Sequence, residues 1–249
     1  MSSSSFELNP SLDRGGLRLS FARKQRLRIA DFLQPAMALA LHKHLAHEVD
    51  WRAFLCADGR LFAAPAGLRG EYPADFASQL LDRACRGARH GFAYLHEANR
   101  IFPEDVTQGE QGGSGLQTAF LSEFSAFLNS GPFLDFARTV TGHEGIQRTQ
   151  IQATRHRSGH FATFKTLPPP APGWGNCRAM FTITLTLDWA VEWGGLLEFL
   201  GADDYVVESY PPSFNVLDLF CVPQGHWIST VAPFAAGERL AISGRLYSA

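Results

Sequence analysis

The sequence predicts an α+β protein in which a double-stranded β-helix, or jelly roll, fills the C-terminal half and is flanked by helices from the N-terminal half. Two observations predict this class. Up to residue 148 apolar residues recur mainly at helical spacing, whereas from residue 149 eight short strand-like runs follow one another, separated by Gly, Pro or Asp. No helical pattern lies between those runs, so we expect antiparallel strands packed as a jelly roll.

Helices and one hairpin account for the N-terminal half. The stretch RIADFLQPAMALALHKHLAHE has helical spacing, and Pro35 marks either a break or the start of a helix. VDWRAFLCADGRLFAAP is typical of a β-hairpin with its turn at Asp58 and Gly59. YPADFASQLLDRACRGARHG predicts an amphipathic helix that ends at Gly91, and two further helices are divided at residues 130–132.

The eight strand-like runs define the predicted core. In chain order they are TQIQATRH, HFATF, AMFTITLTL, GGLLEFL, DYVVESY, FNVLDLFCV, HWISTV and RLAISGRL. We therefore expect one domain over residues 1–249, with a flexible N-terminus at 1–17, a mainly helical support at 18–148 and the jelly-roll core at 149–249.

Composition limits the classes of partner. The chain has 249 residues, 45% of them hydrophobic, and a formal net charge of −2. A net charge this close to zero does not favour binding to nucleic acid or to an anionic membrane. We therefore expect a small-molecule or peptide ligand. The four cysteines are scattered without a CxxC pair, and the polar start resembles no secretion signal, so we expect a cytoplasmic protein with reduced thiols.

Four pieces of the second half recur in a recognisable order: RHRSGHF, NCRAMFTITLTLDWAVEWGGLLEF, SFNVLDLFCVPQGHWISTVAPF and RLAISGRL. In order and spacing they resemble the 2-oxoglutarate- and Fe(II)-dependent oxygenases, specifically the prolyl 4-hydroxylase-like branch. The resemblance runs from about residue 149 to the end. It implies a jelly-roll fold, an iron held by two histidines and one carboxylate, and 2-oxoglutarate as co-substrate.

Two residues match the pattern of that family directly. His226 matches the second iron-binding histidine. Arg239, thirteen residues later, matches the basic residue that pairs with the far carboxylate of 2-oxoglutarate. A guanidinium suits this task because it can bind a carboxylate through two parallel hydrogen bonds.

Three positions depart from the family pattern. The His-x-Asp pair falls on Lys165 and Leu167, and the tyrosine that contacts the co-substrate falls on His156. Two of the three iron ligands are therefore missing. One imidazole is a poor site for Fe(II), and a protonated lysine repels a cation, so the departures argue against bound iron.

Two acids interrupt otherwise apolar strands and offer a compensation. Asp218 lies within FNVLDLFCV and Glu198 within GGLLEFL. Either could pair with Lys165 in place of the metal, or ligate a metal in a new geometry with His226. Exposure at a sheet edge is the simpler explanation for both acids.

Two main hypotheses follow. In the first, the protein is a catalytically inactive relative that binds 2-oxoglutarate or a similar acid through Arg239, His156 and Lys165, with the lysine supplying the charge of the iron. In the alternative, it is an active hydroxylase of an amino-acid, peptide or natural-product substrate with an unusual iron site. A third hypothesis makes Lys165 a nucleophile or base. Homodimerisation through the helical half stays open.

Overall fold

The structure is a computed structural model that describes residues 6–64, 71–101, 119–163, 175–203 and 205–248. Five helices are present in this part of the chain: α1 (Arg14–Lys24), α2 (Pro35–His47), α3 (Ala74–Ala88), α4 (Ala119–Leu128) and α5 (Gly131–Thr141). Its twelve strands are β1 (Arg26–Ile29), β2 (Arg52–Ala57), β3 (Arg60–Ala63), β4 (Tyr94–Ile101), β5 (Ile146–His156), β6 (Phe161–Ala162), β7 (Asn176–Leu185), β8 (Leu197–Leu200), β9 (Val206–Tyr210), β10 (Phe214–Cys221), β11 (His226–Ile228) and β12 (Arg239–Ser248).

The strands form one antiparallel sheet that curls into a jelly roll. Ten strands follow the order β1-β10-β7-β12-β5-β4-β6-β11-β8-β9, and β2 joins the sheet through β4 and carries β3. The first six strands form the larger layer, and β6, β11, β8 and β9 form the smaller one. Strand β4 pairs with both β5 and β6, so it joins the two layers on one side of the barrel.

Side chains join the two layers on the opposite side, where the edge strands β1 and β9 meet. Arg26 Nε on β1 donates a hydrogen bond of 2.9 Å to Glu208 Oε2 on β9. The guanidinium of Arg28 lies over the ring of Tyr210, 5.2 Å from its centroid. No backbone ladder joins β1 to β9, so these side-chain contacts connect the two open edges of the barrel.

Most of the predicted elements are confirmed, and the local physical reasons are those that the sequence indicated. Pro35 is the first residue of α2, where its missing N–H costs no helical hydrogen bond. Asp58 and Gly59 turn the β2–β3 hairpin with φ values of 52° and 70°, the left-handed region that this turn requires. All eight strand-like runs of the second half contain a strand.

The main hydrophobic core lies between the helices and the outer face of the larger layer. Aromatic residues of α4 and α5 pack against that face. Phe133, for example, lies with its ring centroid 5.4 Å from that of Phe181 on β7. Leu217 and Leu219 on β10 point into the same core. Because side chains alternate along a strand, their neighbours on β10 point into the barrel.

The N-terminal half differs from the prediction in two respects. Phe6, within the segment expected to be flexible, is buried and packs edge-on against Phe120 and Phe124 of α4, so apolar burial holds this segment in place. The half expected to be mainly helical also supplies β1 and β4 to the barrel. In β1 the alternation of Arg26 and Arg28 with apolar residues is a strand pattern.

Gly244 on β12 provides a stability test of the core. A Cβ at this position would lie 2.2 Å from Cζ of Phe181, whose ring is fixed in the core. We expect Gly244→Ala to lower the free energy of unfolding by about 1–3 kcal/mol, because the ring has to move. Chemical denaturation measures this, with Gly91→Ala as the control, since a Cβ there meets open space. Equal effects of both substitutions would contradict the packing at Gly244.

Candidate ligand site inside the barrel

The inner face of the larger layer is polar, in contrast to its outer face. Asp218 on β10 lies opposite Thr182 on β7, which in turn lies opposite Ser243 on β12. The hydroxyl oxygens of Thr182 and Ser243 are 3.4 Å apart. A lining of hydroxyl and charged groups inside a barrel is suited to a polar ligand rather than to simple core packing.

Arg239 is the principal cation of this interior. It is the first residue of β12 and only 2% exposed, and its Nε donates a hydrogen bond of 3.0 Å to the carbonyl oxygen of Gly195. Within the described part of the chain, no acceptor takes a hydrogen bond from either terminal nitrogen of Arg239. Burial lowers the pKa of Arg239 to about 10, so the guanidinium is still charged at neutral pH. A buried cation with unused donors is a site for an anion.

One buried imidazole, that of His156, lies beside Arg239, and the rings of His96 and His160 lie near His156. His156 pairs with Arg239 across β5 and β12, and its ring stacks on that of His96 with centroids 5.3 Å apart. Burial, reinforced by Arg239, holds the pKa of His156 well below its ordinary value, and burial lowers the pKa of His160 to about 4. These rings are therefore neutral at physiological pH. Nδ1 of His156 is buried, and no residue that the structure describes forms a hydrogen bond with it.

His226 is placed at the start of β11, on the smaller layer. Its Nδ1 lies 2.8 Å from the carbonyl oxygen of Gln224, and only a protonated Nδ1 can donate to that oxygen. The neutral ring therefore carries its lone pair on Nε2. The ring packs on Phe220 of β10, with centroids 4.7 Å apart, and lies opposite Phe199 of β8. His226 thus lies with Phe220 and Phe199 on the inner wall of the barrel.

Asp218 also lies on the inner wall. Its carboxylate is almost fully buried, and Oδ1 lies 3.4 Å from Nη1 of Arg28 on β1. Burial raises the pKa of Asp218 to about 7, although Arg28 and Arg239 act in the opposite direction. The effect of burial on the pKa therefore outweighs that of the ion pair with Arg28. The ionised form of Asp218 is destabilised inside the barrel.

The structure does not bring Glu198 together with His226. Glu198 lies opposite Trp227 on β11, one residue after His226, so the two side chains point to opposite faces of the sheet. Ser209 on β9 donates a hydrogen bond of 3.3 Å to its Oε1 outside the barrel. Exposure at a sheet edge explains the acid at position 198. It does not explain Asp218, which is buried.

The described residues do not fit the iron site of the family. No group of three or more His, Cys, Asp or Glu side chains among them is arranged to hold a metal ion. Lys165 and Leu167, which the resemblance matches to the His-x-Asp positions, lie outside the described residues, and neither side chain is a usual ligand for Fe(II). Asp218 already pairs with Arg28 and shares its surroundings with a second cation, Arg239.

Sequence reasoning missed two residues of this site. Arg28 pairs with Asp218 across 190 positions of sequence, and His96 stacks on His156 from a strand that was not predicted. The alternating patterns RLRI and YLHEAN contained both positions. Recognising these short runs as strands would have placed both side chains on a defined face.

Comparisons with known proteins agree with this architecture. Residues 172–247 match the family model of the 2OG-Fe(II) oxygenase superfamily. The fold is similar to that of an oxidoreductase of the 2OG-Fe(II) oxygenase family from Burkholderia pseudomallei, with a TM-score of 0.59 and 12% identity over 99% of this chain and 96% of the other. No curated protein matches the chain in sequence.

Two further solved structures share the fold. A prolyl 4-hydroxylase from Phytophthora capsici has a TM-score of 0.52 and 13% identity, over 99% of this chain and 69% of the other. A non-heme alpha ketoglutarate dependent epimerase from nogalamycin biosynthesis has a TM-score of 0.50 and 12% identity, over 95% of this chain and 83% of the other. Among the described helices none is long and apolar enough to cross a membrane.

Proposed function

Residues 172–247 match the family model of the 2OG-Fe(II) oxygenase superfamily, and from this premise we propose that the chain binds 2-oxoglutarate or a similar dicarboxylate without catalysing iron-dependent oxidation. The observation that carries the proposal is Arg239, a buried guanidinium whose terminal nitrogens donate to no acceptor among the described residues. A buried charge needs a partner, and a carboxylate is the partner that matches the two parallel donors of arginine.

The surroundings of Arg239 favour an anionic ligand over a second cation. His156 and His160 are neutral, so they do not compete with the ligand for the guanidinium. Nδ1 of His156 has an unused hydrogen-bonding position beside the same group. Asp218 is the opposing charge, but it lies next to Arg28 and its raised pKa makes it partly protonated near pH 7.

The proposal excludes iron because the ligand set does not fit the metal. Of the three family ligand positions, only His226 carries a suitable side chain. We propose that the ammonium of Lys165 neutralises the keto-acid end of the ligand, where the family places iron. A fixed ammonium supplies charge but no redox capacity, so the ligand would be bound and not consumed.

An active hydroxylase is the second candidate, and one observation favours it. His226 donates from Nδ1 to a backbone carbonyl, so its neutral ring carries the lone pair on Nε2, which is the usual tautomer of a metal-binding histidine. This candidate requires further ligands that the described residues do not supply.

We also propose a cytoplasmic location, as the scattered cysteines indicate. None of the four cysteines, Cys56, Cys85, Cys177 and Cys221, forms a disulfide in the described structure. Free thiols in a protein of this size are typical of a reducing compartment. A disulfide found in the purified native protein would argue against this location.

Calorimetric titration of metal-stripped protein with 2-oxoglutarate tests the proposal. We expect binding in the presence of a chelator, no change of affinity on anaerobic addition of Fe(II), and no visible charge-transfer band. Acetate serves as the monocarboxylate control. Binding that depends on Fe(II), with a band and release of succinate, would establish the hydroxylase instead. Absence of binding under every condition would overturn both candidates.

A further inference from the structure

A second concentration of positive charge lies outside the barrel interior. Residues 14–28 contain six arginines and lysines and no acid, in a chain whose net charge is −2. This stretch forms α1 and the edge strand β1. The overall charge balance therefore conceals one strongly basic region.

This basic stretch borders a cavity of about 320 Å³ between the end of α1 and the junction of β1 with β9. We call it the basic cavity. Its polar lining consists of Ser20, Arg23, Lys24, Arg26, Arg28 and Tyr210.

The acids around the basic cavity do not balance its cations. Glu208 accepts hydrogen bonds from Lys24 at 2.7 Å and from Arg26 at 2.9 Å, and these contacts hold its pKa at about 2 against the opposing effect of burial. Asp218 pairs with Arg28. Four cations thus face Glu208 and the partly protonated Asp218, which leaves an excess of at least two positive charges.

Helix capping alone does not account for this charge. Basic residues in the last turn of a helix offset its dipole, which explains Arg23 and Lys24. Arg26 lies beyond the helix, and its side chain is only 15% exposed. Arg23 makes no ion pair or hydrogen bond with any described residue, so one guanidinium at the cavity is fully available.

We propose that the basic cavity is a binding site for a phosphate group, either inorganic phosphate or the phosphate of a phosphomonoester. A phosphomonoester carries a charge of about −1.5 to −2 at neutral pH, which matches the excess of the cavity. Arginine donates two parallel hydrogen bonds to phosphate oxygens, and the hydroxyl of Ser20 adds a further donor. The lining of the cavity does not include Arg239, the central residue of the proposed dicarboxylate site, although Arg28 interacts electrostatically with it.

Calorimetric titration with inorganic phosphate, and separately with glycerol phosphate, tests the proposal at fixed ionic strength. We expect wild-type protein to bind at least one of the two. The double variant Arg23→Ala/Lys24→Ala should weaken this binding by about tenfold or more, the effect of losing hydrogen bonds to a charged group. Both side chains are exposed, so folding should be unaffected, and 2-oxoglutarate binding should persist.

The matched control is Arg18→Ala/Lys43→Ala, which removes the same two charges from exposed positions outside the cavity. We expect its phosphate affinity to stay within about twofold of wild type, because exposed distant charges are screened. An equal loss in the control would indicate a general charge effect and overturn the site. So would loss of phosphate binding in Arg239→Met, which would place the anion inside the barrel. Absence of heat with both ligands would also overturn it.

Discussion

Arg239→Met is expected to weaken 2-oxoglutarate binding by about tenfold to a hundredfold or more, the loss that follows removal of charge-assisted hydrogen bonds. Methionine keeps much of the length and apolar volume of arginine while removing its charge. The loss of a buried charge near Asp218 changes stability as well as binding, so both are measured. Calorimetry on the folded variant measures the loss, and circular dichroism checks the fold.

Two further variants separate charge from geometry. Arg239→Lys keeps the charge but cannot donate two parallel hydrogen bonds, so we expect an intermediate affinity. Arg86→Ala removes an arginine that is 66% exposed on α3 and should leave the affinity unchanged. Wild-type affinity in Arg239→Met would show that the ligand binds elsewhere and would remove the basis of the proposed function.

Asp218→Asn is expected to stabilise the protein at pH 8 by about 2–4 kcal/mol relative to wild type, and to have little effect at pH 4. Burial raises the pKa of Asp218 from 3.8 to about 7 in the folded protein. Between these two values the folded state holds a proton that the unfolded state has lost. The contribution of Asp218 to stability therefore falls as the pH rises from 4 to 7, and the amide removes this fall.

Denaturant unfolding of wild type and variant across pH 4–8 measures the difference. His156 and His160 have lowered pKa values, so they cost stability as the pH falls below about 6.5. Both proteins share that loss, and the difference between them isolates Asp218. Asp82→Asn, at a position 61% exposed, should show no such trend. If Asp218→Asn is destabilising at pH 8, the ion pair with Arg28 outweighs burial.

Local pattern predicted the strands of the second half well. Alternating or apolar runs bounded by Gly or Pro are typical of strands. Each of the eight runs of the second half contains a strand. These strand predictions succeeded because they depend on short segments whose side-chain period is local. The roles that the motif order gives to His226 and Arg239 stay predictions.

The electrostatics of the site could not be predicted in the same way. The sequence offered Glu198 and Asp218 as equivalent acids, but a shift of one residue in register decides which face a side chain joins. Glu198 points out of the barrel, whereas Asp218 points in. The departures at Lys165 and Leu167, by contrast, needed only the order of residues in the motif.

The sequence by itself determined the fold class and the positions of the strands along the chain, because each depends on residue identity within a short segment, and it predicts the loss of two iron-ligand residues. Only the tertiary structure decided that Arg28 faces Asp218, that His96 stacks on His156, and that β1 and β9 close the barrel with a basic cavity beside them. These are contacts between residues far apart in the chain. Their energies depend on burial and on the distance between charges, which arise only when the strands are packed together.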